Sequence, residues 1–360
     1  MHLNILVLPG DGIGPEVTAQ AVRVLEQVAR KWNHSVDLKE GLLGGVAIHR
    51  TGVPMPPETE ALAHECDATL LGAVGLPEFD HVAPQLRPER GLLGIRKTLG
   101  VYANLRPVRS YQALLDSSPL KNHLVDGADL IIVRELNGGI YYGTPRGIEG
   151  EGPAERGFNT MVYTRAEIQR VLRMAFNLAR NRRKKVTSVD KSNVLETSQL
   201  WRKVAGEVAA EYPDVELEHL LVDNCAMQLI LRPKQFDVVV MENMFGDILS
   251  DEGAVIAGSI GMLPSASIGG RKPSGAYVGL YEPVHGSAPD IAGQGKANPL
   301  GAIGSVAAML EYSFGLLEEA RAVYAAIEAV LNSGRVTSDL KPAGPPATTA
   351  EVGAAVCAAL

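Results

Sequence analysis

Two acidic residues with helical spacing are the first candidates for chemistry. Asp247 and Asp251 follow the short apolar run 236–241, which predicts a buried strand, and the residues after the run predict a helix. Residues four apart project from the same face of a helix, where two like charges destabilise it slightly. A divalent cation such as Mg²⁺ or Mn²⁺ would compensate, because these ions take oxygen ligands from one or two carboxylates. A solvent-exposed acidic face is the alternative.

Three further polar residues could complete such a site. Asp223 ends the predicted strand 216–222, at the kind of position where α/β sheets place ligands, although a helix cap is the alternative. Lys191 follows the predicted strand 185–190. Near a metal and arginines its charged form would be disfavoured, so it could act as a base near neutral pH. Tyr141 could donate a proton. For Lys191 and Tyr141 the alternative is an ordinary surface side chain.

Three arginines point to an acidic ligand. Arg106 and Arg134 lie on predicted buried strands, 102–108 and 129–136, and Arg96 follows an apolar segment. A buried arginine needs a partner, because an unpaired buried charge is very costly. The partner is either an internal carboxylate or a bound ligand, and guanidinium geometry suits bidentate binding of carboxylates. The three together suggest a ligand with at least two carboxylates.

Two glycine-containing segments bear on nucleotide binding. The loop 282–290, with Asn298 beyond it, combines Gly and Pro with polar residues, which fits a nucleotide pocket. The glycine cluster at 10–14 lacks the third glycine of the G-x-G-x-x-G fingerprint. A Rossmann dinucleotide fold is therefore not predicted.

The elements that must position these residues alternate between strand and helix, which predicts an α/β fold with a mainly parallel or mixed sheet. Residues 138–164 break the alternation and predict a protruding hairpin arm, with strands at 140–142 and 160–163, that packs on a partner subunit. Residues 259–299 are predicted to form a long functional loop. The other predicted strands are 3–8 and 68–72, and the predicted helices are 15–32, 164–182, 195–211, 224–231, 245–257, 300–314, 317–332 and 348–359.

Composition limits the possible partners and compartment. The 360 residues suggest about two domains, and the formal net charge of −7 argues against nucleic acid or an anionic membrane as a partner. The three cysteines are far apart and form no C-x-x-C pair, as expected in a reducing compartment. Because neither a signal peptide nor an apolar run long enough to span a membrane is present, a cytoplasmic location is expected.

Five stretches, in order along the chain, carry a resemblance to a known family. Over essentially its whole length the sequence resembles the isocitrate/isopropylmalate β-decarboxylating dehydrogenases. The resemblance implies a two-domain fold, not a Rossmann fold, with a first domain of residues 1–101 and 258–360 that makes most cofactor contacts. Residues 102–257 would form the second domain, with the dimer interface, the arm and the metal carboxylates. The stretches are 8–16, 104–107, 134–141, 243–251 and 282–290.

The resemblance also implies roles for the residues singled out above. Arg96, Arg106 and Arg134 would hold the substrate carboxylates. Lys191 would take the proton of the 2-hydroxyl, and Tyr141 would protonate the enol left after CO₂ departs. The family is homodimeric with interlocking arms, so the active site would be shared between subunits. The implied metal ligands for Mg²⁺ or Mn²⁺ are Asp247 and Asp251 of one subunit with Asp223 of the other, which also supplies Lys191.

Substrate and cofactor choice follow from further matching positions. Leu92 and Leu93, with Glu89 and with Val194 from the other subunit, would line the substrate pocket and form an apolar wall, although ordinary core packing is the alternative for the leucines. The wall favours (2R,3S)-3-isopropylmalate, oxidised with NAD to 4-methyl-2-oxopentanoate and CO₂ in leucine biosynthesis. A D-malate- or tartrate-type enzyme is the nearest alternative, and a catalytically silent scaffold is another.

NAD would be preferred because Asp290 can accept hydrogen bonds from both ribose hydroxyls and repels a 2′-phosphate. The loop 269–279 is longer than in compact family members, which could alter the cofactor side. The implied cofactor contacts are Ile13, Glu89, Asn193, His285, Gly286, Ser287, Ala288, Pro289, Asp290 and Asn298.

Overall fold

The computed structural model of the chain describes residues 1–272 and 276–360, which form two compact units. The first unit comprises residues 1–101, 110–122 and 257–360, and the second comprises 102–109 and 123–256. The predicted boundaries differ at 110–122, which they assign to the second domain. In the structure this segment packs within the first unit, where the Ser117 hydroxyl donates to the Leu340 carbonyl at 2.8 Å.

The elements alternate as the sequence predicts. Over the described residues the strands are β1 (His2–Gly10), β2 (Ser35–Glu40), β3 (Ala68–Ala73), β4 (Ala103–Arg109), β5 (Asp129–Glu135), β6 (Gly147–Glu149), β7 (Arg156–Phe158), β8 (Lys185–Asp190), β9 (Glu216–Leu221), β10 (Val238–Met241), β11 (Pro264–Arg271) and β12 (Tyr277–Pro283). The α-helices are α1 (Gly14–Trp32), α2 (Gly45–Thr51), α3 (Pro57–Glu65), α4 (Pro88–Leu99), α5 (Asn122–Val125), α6 (Arg165–Arg180), α7 (Glu196–Ala209), α8 (Val222–Leu231), α9 (Asn243–Ala257), α10 (Leu300–Tyr312), α11 (Leu317–Ser333) and α12 (Thr349–Ala359).

The first unit contains strands in the order β2-β1-β3-β12-β11. The pairs β1–β2, β1–β3 and β3–β12 are parallel, and β11–β12 is antiparallel. Helix α1 packs with α10 and α12. Its apolar residues recur at helical spacing and are buried, Val17, Ala21, Val24, Leu25 and Val28 among them, which confirms the predicted face. The helix ends where Asn33 adopts a left-handed conformation with φ of 56°.

The second unit contains strands in the order β4-β5-β10-β8-β9. The β4–β5 pair is antiparallel, whereas β5–β10, β10–β8 and β8–β9 are parallel. The central strand β10 is completely buried, and α6 packs on it. Helix α6 begins with a capping box between Thr164 and Glu167. The predicted α/β class with a mixed, mostly parallel sheet is confirmed.

Three of the predicted elements are wrong. Residues 259–299 are not one long loop, because 264–271 and 277–283 form the antiparallel strands β11 and β12. Their small residues, Gly and Ser among them, resemble a loop in composition but pack under α10. Asp223 does not end a strand, since β9 stops at Leu221 and Asp223 lies in the first turn of α8.

The third correction concerns the arm. A hairpin is present, but its strands are β6 and β7, and the predicted strand 140–142 is instead largely a 3₁₀ turn over Gly139–Tyr141. Residues 160–163 are not in a strand either. Strand β2 was missed because its half-exposed, polar sequence shows little apolar pattern. The expected long loop 269–279 includes residues 273–275, which lie outside the described residues.

In the described part of the chain, no helix is both long enough and apolar enough to cross a bilayer.

Candidate active site

Helix α9 is held at the carboxyl end of the second unit's sheet by the residue that directly precedes it. It follows directly after β10, whose last residue Met241 is in register with Arg134 of β5. The buried carboxylate of Glu242 accepts hydrogen bonds from the backbone N–H groups of Met244 and Phe245 at 3.1 and 2.9 Å. Burial raises the pKa of Glu242. The arrangement satisfies the free donors of the first helical turn and brings α9 against Arg134.

Arg134 and Tyr141 converge on Asp247. The Nη1 atom of Arg134 donates to Oδ1 of Asp247, and the Tyr141 hydroxyl donates to Oδ2 at 2.9 Å. The guanidinium carbon of Arg134 lies 5.7 Å from the centre of the Tyr141 ring. The guanidinium group of Arg134 and the phenol of Tyr141 therefore share the carboxylate of Asp247.

Arg106 reaches the second aspartate of the same helix. Its Nη1 donates to the Ser250 hydroxyl at 2.6 Å and to Oδ1 of Asp251 at 2.9 Å, and its Nη2 lies 3.9 Å from Oδ1 of Asp247. The side chains of Arg106 and Arg134 are 9% and 5% exposed, whereas those of Asp247 and Asp251 are 36% and 58% exposed. The guanidinium groups thus stand on buried stems, and the carboxylates keep access to a ligand.

The environment of Tyr141 keeps its proton in place. Burial, followed by the hydrogen bond and charge of Asp247, raises the pKa of Tyr141 to about 12. The phenol therefore remains protonated across the neutral range and can donate a proton there.

Lys191 and Asp223 form a separate pair. Nζ of Lys191 donates to Oδ1 of Asp223 at 2.9 Å, and this bond lowers the pKa of Asp223. Lys191 follows β8 directly, as predicted. Among the residues that the structure describes, no three His, Cys, Asp or Glu side chains form a group able to hold a metal. Asp223 therefore does not join the aspartates of α9 within one chain.

The donor set of α9 fits part of a divalent-metal site. Asp247 and Asp251 offer hard carboxylate oxygens from one helix face, the ligand type that Mg²⁺ and Mn²⁺ take. Two carboxylates suffice only if substrate, water or another chain supplies the remaining ligands. Asp223, which is exposed and pairs with Lys191, has the chemistry to supply one from a second copy.

In the first unit, Arg96 is buried and only partly paired. Its Nη2 donates to Oε1 of Glu282 at 2.7 Å, while its Nε is buried without a hydrogen-bond partner among the described residues. An unpaired buried donor is costly, so Arg96 is suited to an acidic ligand. One turn earlier, Leu92 packs against the apolar core cluster that contains Leu43, and Leu93 is half-buried. The core alternative thus holds in part for Leu92.

The loop after β12 provides several of the predicted cofactor residues. The Ser287 carbonyl accepts a hydrogen bond from the Ile13 N–H at 2.8 Å, which joins the loop to the glycine-rich turn after β1. The Glu89 carboxylate borders the same place, since a Cβ added at Gly75 would lie 3.5 Å from Glu89 and 3.6 Å from the Ser287 hydroxyl. Gly75 therefore lies close to both the Glu89 carboxylate and the Ser287 hydroxyl.

His285 and Asp290 are the next two predicted cofactor residues in this loop. Nδ1 of His285 bonds to the Gly286 carbonyl at 2.9 Å, and its buried Nε2 has no partner in the described residues. Burial lowers the pKa of His285, so the ring is neutral near pH 7. Asp290 is exposed in the short turn Pro289–Ile291, after Ala288 adopts a left-handed conformation. The unpaired Nε2 of His285 and the exposed position of Asp290, within the described residues, fit a nucleotide.

Asn298 differs from the other predicted cofactor residues. Its Nδ2 donates to Asp339 at 3.0 Å, and its Oδ1 accepts from the Leu300 N–H at 3.0 Å. The side chain is thus already occupied inside the first unit. Asn193 and Val194 are exposed in the turn after β8, so they are available to a second chain.

Asp11 organises the glycine-rich turn and is not among the site residues predicted from the sequence. Its buried carboxylate accepts from the N–H groups of Gly45, Val46 and Gly75 at 2.8, 2.8 and 2.9 Å. Neighbouring Gly12 has φ of 56°, and any Cβ there would collide with the Ser287 carbonyl. An aspartate between two glycines was a usable signal, because such a residue often fixes a turn.

The comparisons with known proteins identify the class. Residues 4–356 match the family model described as isocitrate/isopropylmalate dehydrogenase, so the chain belongs to this family of dehydrogenases. As a member it is an oxidoreductase that acts on a small-molecule substrate.

Two curated relatives and one solved structure show which members of the family this chain is similar to. The curated 3-isopropylmalate dehydrogenase of Halalkalibacterium halodurans is 58% identical over 344 residues, covering 96% of this chain and 93% of the relative. That of Geobacillus kaustophilus is 59% identical over 343 residues, covering 95% and 91%. Among solved structures, isocitrate dehydrogenase from Methylococcus capsulatus is 34% identical with a TM-score of 0.87, covering 100% of this chain and 99% of that one.

Proposed function

We propose that this chain catalyses the NAD-dependent oxidative decarboxylation of (2R,3S)-3-isopropylmalate to 4-methyl-2-oxopentanoate and CO₂, a step of leucine biosynthesis. The observation that carries the proposal is the convergence of Arg134, Tyr141 and Arg106 on Asp247 and Asp251. Guanidinium groups to bind carboxylates, a protonated phenol and a pair of metal-type carboxylates are the groups that this reaction needs. Relatives named 3-isopropylmalate dehydrogenase at 58–59% identity support the same substrate.

The chain's own residues supply binding and proton transfer. Arg106 and Arg134 bind the substrate carboxylates, with Arg96 as a third carboxylate-binding residue. Lys191 removes the proton of the 2-hydroxyl as hydride leaves C2 for NAD. After the bond between C3 and its carboxylate breaks and CO₂ departs, Tyr141 protonates C3 of the enol. A Mg²⁺ or Mn²⁺ ion held by Asp247, Asp251 and the partner subunit's Asp223 would supply positive charge for the developing oxyanion.

The substrate's alkyl group distinguishes this reaction from the D-malate alternative. Leu92 and Leu93 are half-buried, so each keeps apolar surface for a ligand. Burial of an isopropyl group is worth about 1.5–3 kcal/mol, by analogy with a Val or Leu side chain. D-malate lacks that group and would forfeit this stabilisation. The exposed carboxylate of Asp290 similarly favours NAD over NADP, because it would repel a 2′-phosphate.

The proposal requires a homodimer. Large apolar side chains stand exposed on the second unit, with Met227 and Leu231 of α8 at 56% and 54% and Ile248 of α9 at 61%. Exposed apolar groups of this size on two helices of one unit suit an interface, and a symmetric dimer would bury them in pairs. Asp223 is on α8, so the same interface would bring it to the partner's Asp247. The three free thiols suit the reducing cytoplasm.

The test is the absorbance of NADH with purified protein, NAD, Mg²⁺ and a panel of hydroxy acids. We expect turnover on 3-isopropylmalate at a kcat/KM at least ~10-fold above that on D-malate, tartrate and isocitrate, from the alkyl burial alone. Equal or faster turnover of D-malate would refute the substrate assignment. Absence of NADH formation with every acid would refute the enzymatic proposal.

A further inference from the structure

We propose that two buried asparagines, Asn104 and Asn243, are positioning residues that set the orientation of the two carboxylate-binding guanidinium groups. Nε of Arg106 donates to Oδ1 of Asn104 at 2.8 Å, and Nε of Arg134 donates to Oδ1 of Asn243 at 2.9 Å. The asparagines are 1% and 0% exposed. The inference rests on the proposed function, in which these arginines bind the substrate.

The identical use of Nε in both pairs has a geometric consequence. A guanidinium group is a rigid planar fork, so a bond that fixes Nε also fixes the plane and the direction of both Nη atoms. In Arg134 the Nη1 atom then meets Asp247, and in Arg106 it meets Ser250 and Asp251. The two forks are therefore aimed at the side of α9 that carries the aspartates.

A neutral acceptor is suited to this task. An asparagine carbonyl fixes Nε without adding a further negative charge to those of Asp247 and Asp251, which already pair with the two guanidinium groups. An aspartate at the same place would form an ion pair with the arginine and would repel the ligand. The choice of amide over carboxylate at both buried positions thus favours ligand binding.

Asn243 also connects Arg134 to the proton donor. Its Nδ2 donates to the carbonyls of Leu136 and Gly138, each at 3.1 Å, and these residues lie between Arg134 and Tyr141. The N–H of Asn243 donates to the Tyr163 hydroxyl at 2.9 Å. One amide side chain therefore holds both the guanidinium group and the backbone that leads to the 3₁₀ turn of Tyr141.

Strand pairing connects the two asparagines. Asn104 on β4 is the register partner of Arg134 on β5, and Arg106 lies two residues further along β4. Alternate residues share a face of a strand, so Asn104 and Arg106 lie on the same face of the sheet. The sheet register therefore places Asn104, which positions Arg106, beside Arg134.

The first arm of the test is steady-state kinetics. Asn104→Leu and Asn243→Leu keep a similar volume but remove the acceptor for Nε. We expect KM for 3-isopropylmalate to rise ~10- to 100-fold, as for a misplaced binding group, while KM for NAD changes less than about twofold. The matched control is Asn122→Leu, because Asn122 is an exposed asparagine whose amide bonds to Asp116. It should leave both constants unchanged.

The second arm reads the guanidinium groups directly. In the dimer labelled with ¹⁵N-arginine, the Nε–H signals of Arg106 and Arg134, assigned by Arg→Lys replacement, should exchange slowly with solvent. In Asn104→Ser the serine side chain is too short to reach Nε, and this variant replaces the Leu variants if they do not fold. It should accelerate exchange of the Arg106 Nε–H signal at least ~10-fold and leave exchange of the Arg134 signal slow.

The results of the two experiments distinguish failure of the positioning proposal from failure of the proposed function. Accelerated exchange together with a raised KM for the hydroxy acid supports positioning. Unchanged exchange, or accelerated exchange with an unchanged KM in folded variants, refutes it. If the parent protein turns over no hydroxy acid, the proposed function fails and positioning for this substrate fails with it, and the exchange data then show whether the asparagines still fix the guanidinium groups.

Discussion

The packing of α9 on Arg134 leads to a prediction at Gly246. A glycine in the interior of a helix is normally replaced by alanine with a gain of about 1 kcal/mol. At Gly246, however, an added Cβ would lie 2.6 Å from both Cβ and Cγ of Arg134 and 3.1 Å from its Cα. Gly246→Ala should therefore displace Arg134 or α9 instead of stabilising the helix.

The size of the expected effect follows from the distances between the added Cβ and Arg134. Ordinary van der Waals contact begins near 3.4 Å, so contacts at 2.6 Å require a shift of about 0.8 Å. Such overpacking costs about 1–3 kcal/mol, which exceeds or cancels the helix-propensity gain of about 1 kcal/mol. An enzyme whose substrate-binding group is displaced by this amount loses up to ~100-fold in reaction rate. We expect Gly246→Ala to be neutral or up to about 2 kcal/mol less stable, with kcat/KM reduced ~10- to 100-fold.

Gly206 provides the matched control. It lies inside α7 and is exposed, and among the described residues an added Cβ would have no neighbour within 4 Å apart from the adjoining residues of its own helix. Gly206→Ala should raise the free energy of unfolding by about 1 kcal/mol and leave kcat/KM unchanged. Denaturant unfolding and NADH formation measure both variants. A Gly246→Ala enzyme as stabilised as Gly206→Ala, with unaltered kcat/KM, would refute the packing argument.

Two further predictions concern the first unit. Asp290→Lys should raise KM for NAD and increase the ratio of kcat/KM with NADP to that with NAD, because it replaces a repulsive charge with an attractive one toward a 2′-phosphate; an unchanged cofactor ratio would exclude Asp290 from ribose recognition. For His285, burial lowers the pKa below its usual value of 6.5, so the unfolded chain binds the proton more readily and the free energy of unfolding should fall as the pH drops below that value. Denaturant unfolding should show a smaller pH dependence for His285→Gln, and an equal dependence would show that His285 does not contribute.

The residues proposed to bind the metal and the substrate carboxylates are predictable because the pattern that identifies each one lies in its immediate sequence neighbours. Asp247 and Asp251 share a face through helical spacing, and Arg106 and Arg134 stand out as charges on apolar strands. The structure brings these four together with Tyr141. Local pattern is sufficient here because each residue's position on its element determines the direction of its side chain.

The partners of those residues were less predictable because they depend on tertiary pairing. Nothing in the sequence near Arg134 identifies Asn243, which is 109 residues away, and Asn104 resembles any polar strand residue. The sequence predicts a loop at strands β11 and β12 because their small residues pack under α10 without an alternating apolar pattern. Asp223 was placed on a strand because its apolar neighbours continue into α8 without a break.

The proposed function requires that the catalytic lysine of one chain act together with the metal carboxylates of the other. Lys191→Met and Asp247→Asn each inactivate a homodimer, and the two variants can be unfolded together and refolded as a mixture. With residues from opposite subunits, each mixed dimer contains one intact site, so random pairing should restore about one quarter of the parent activity. Residues acting within one chain would leave every site defective, and a mixture as inactive as its two components would contradict the claim.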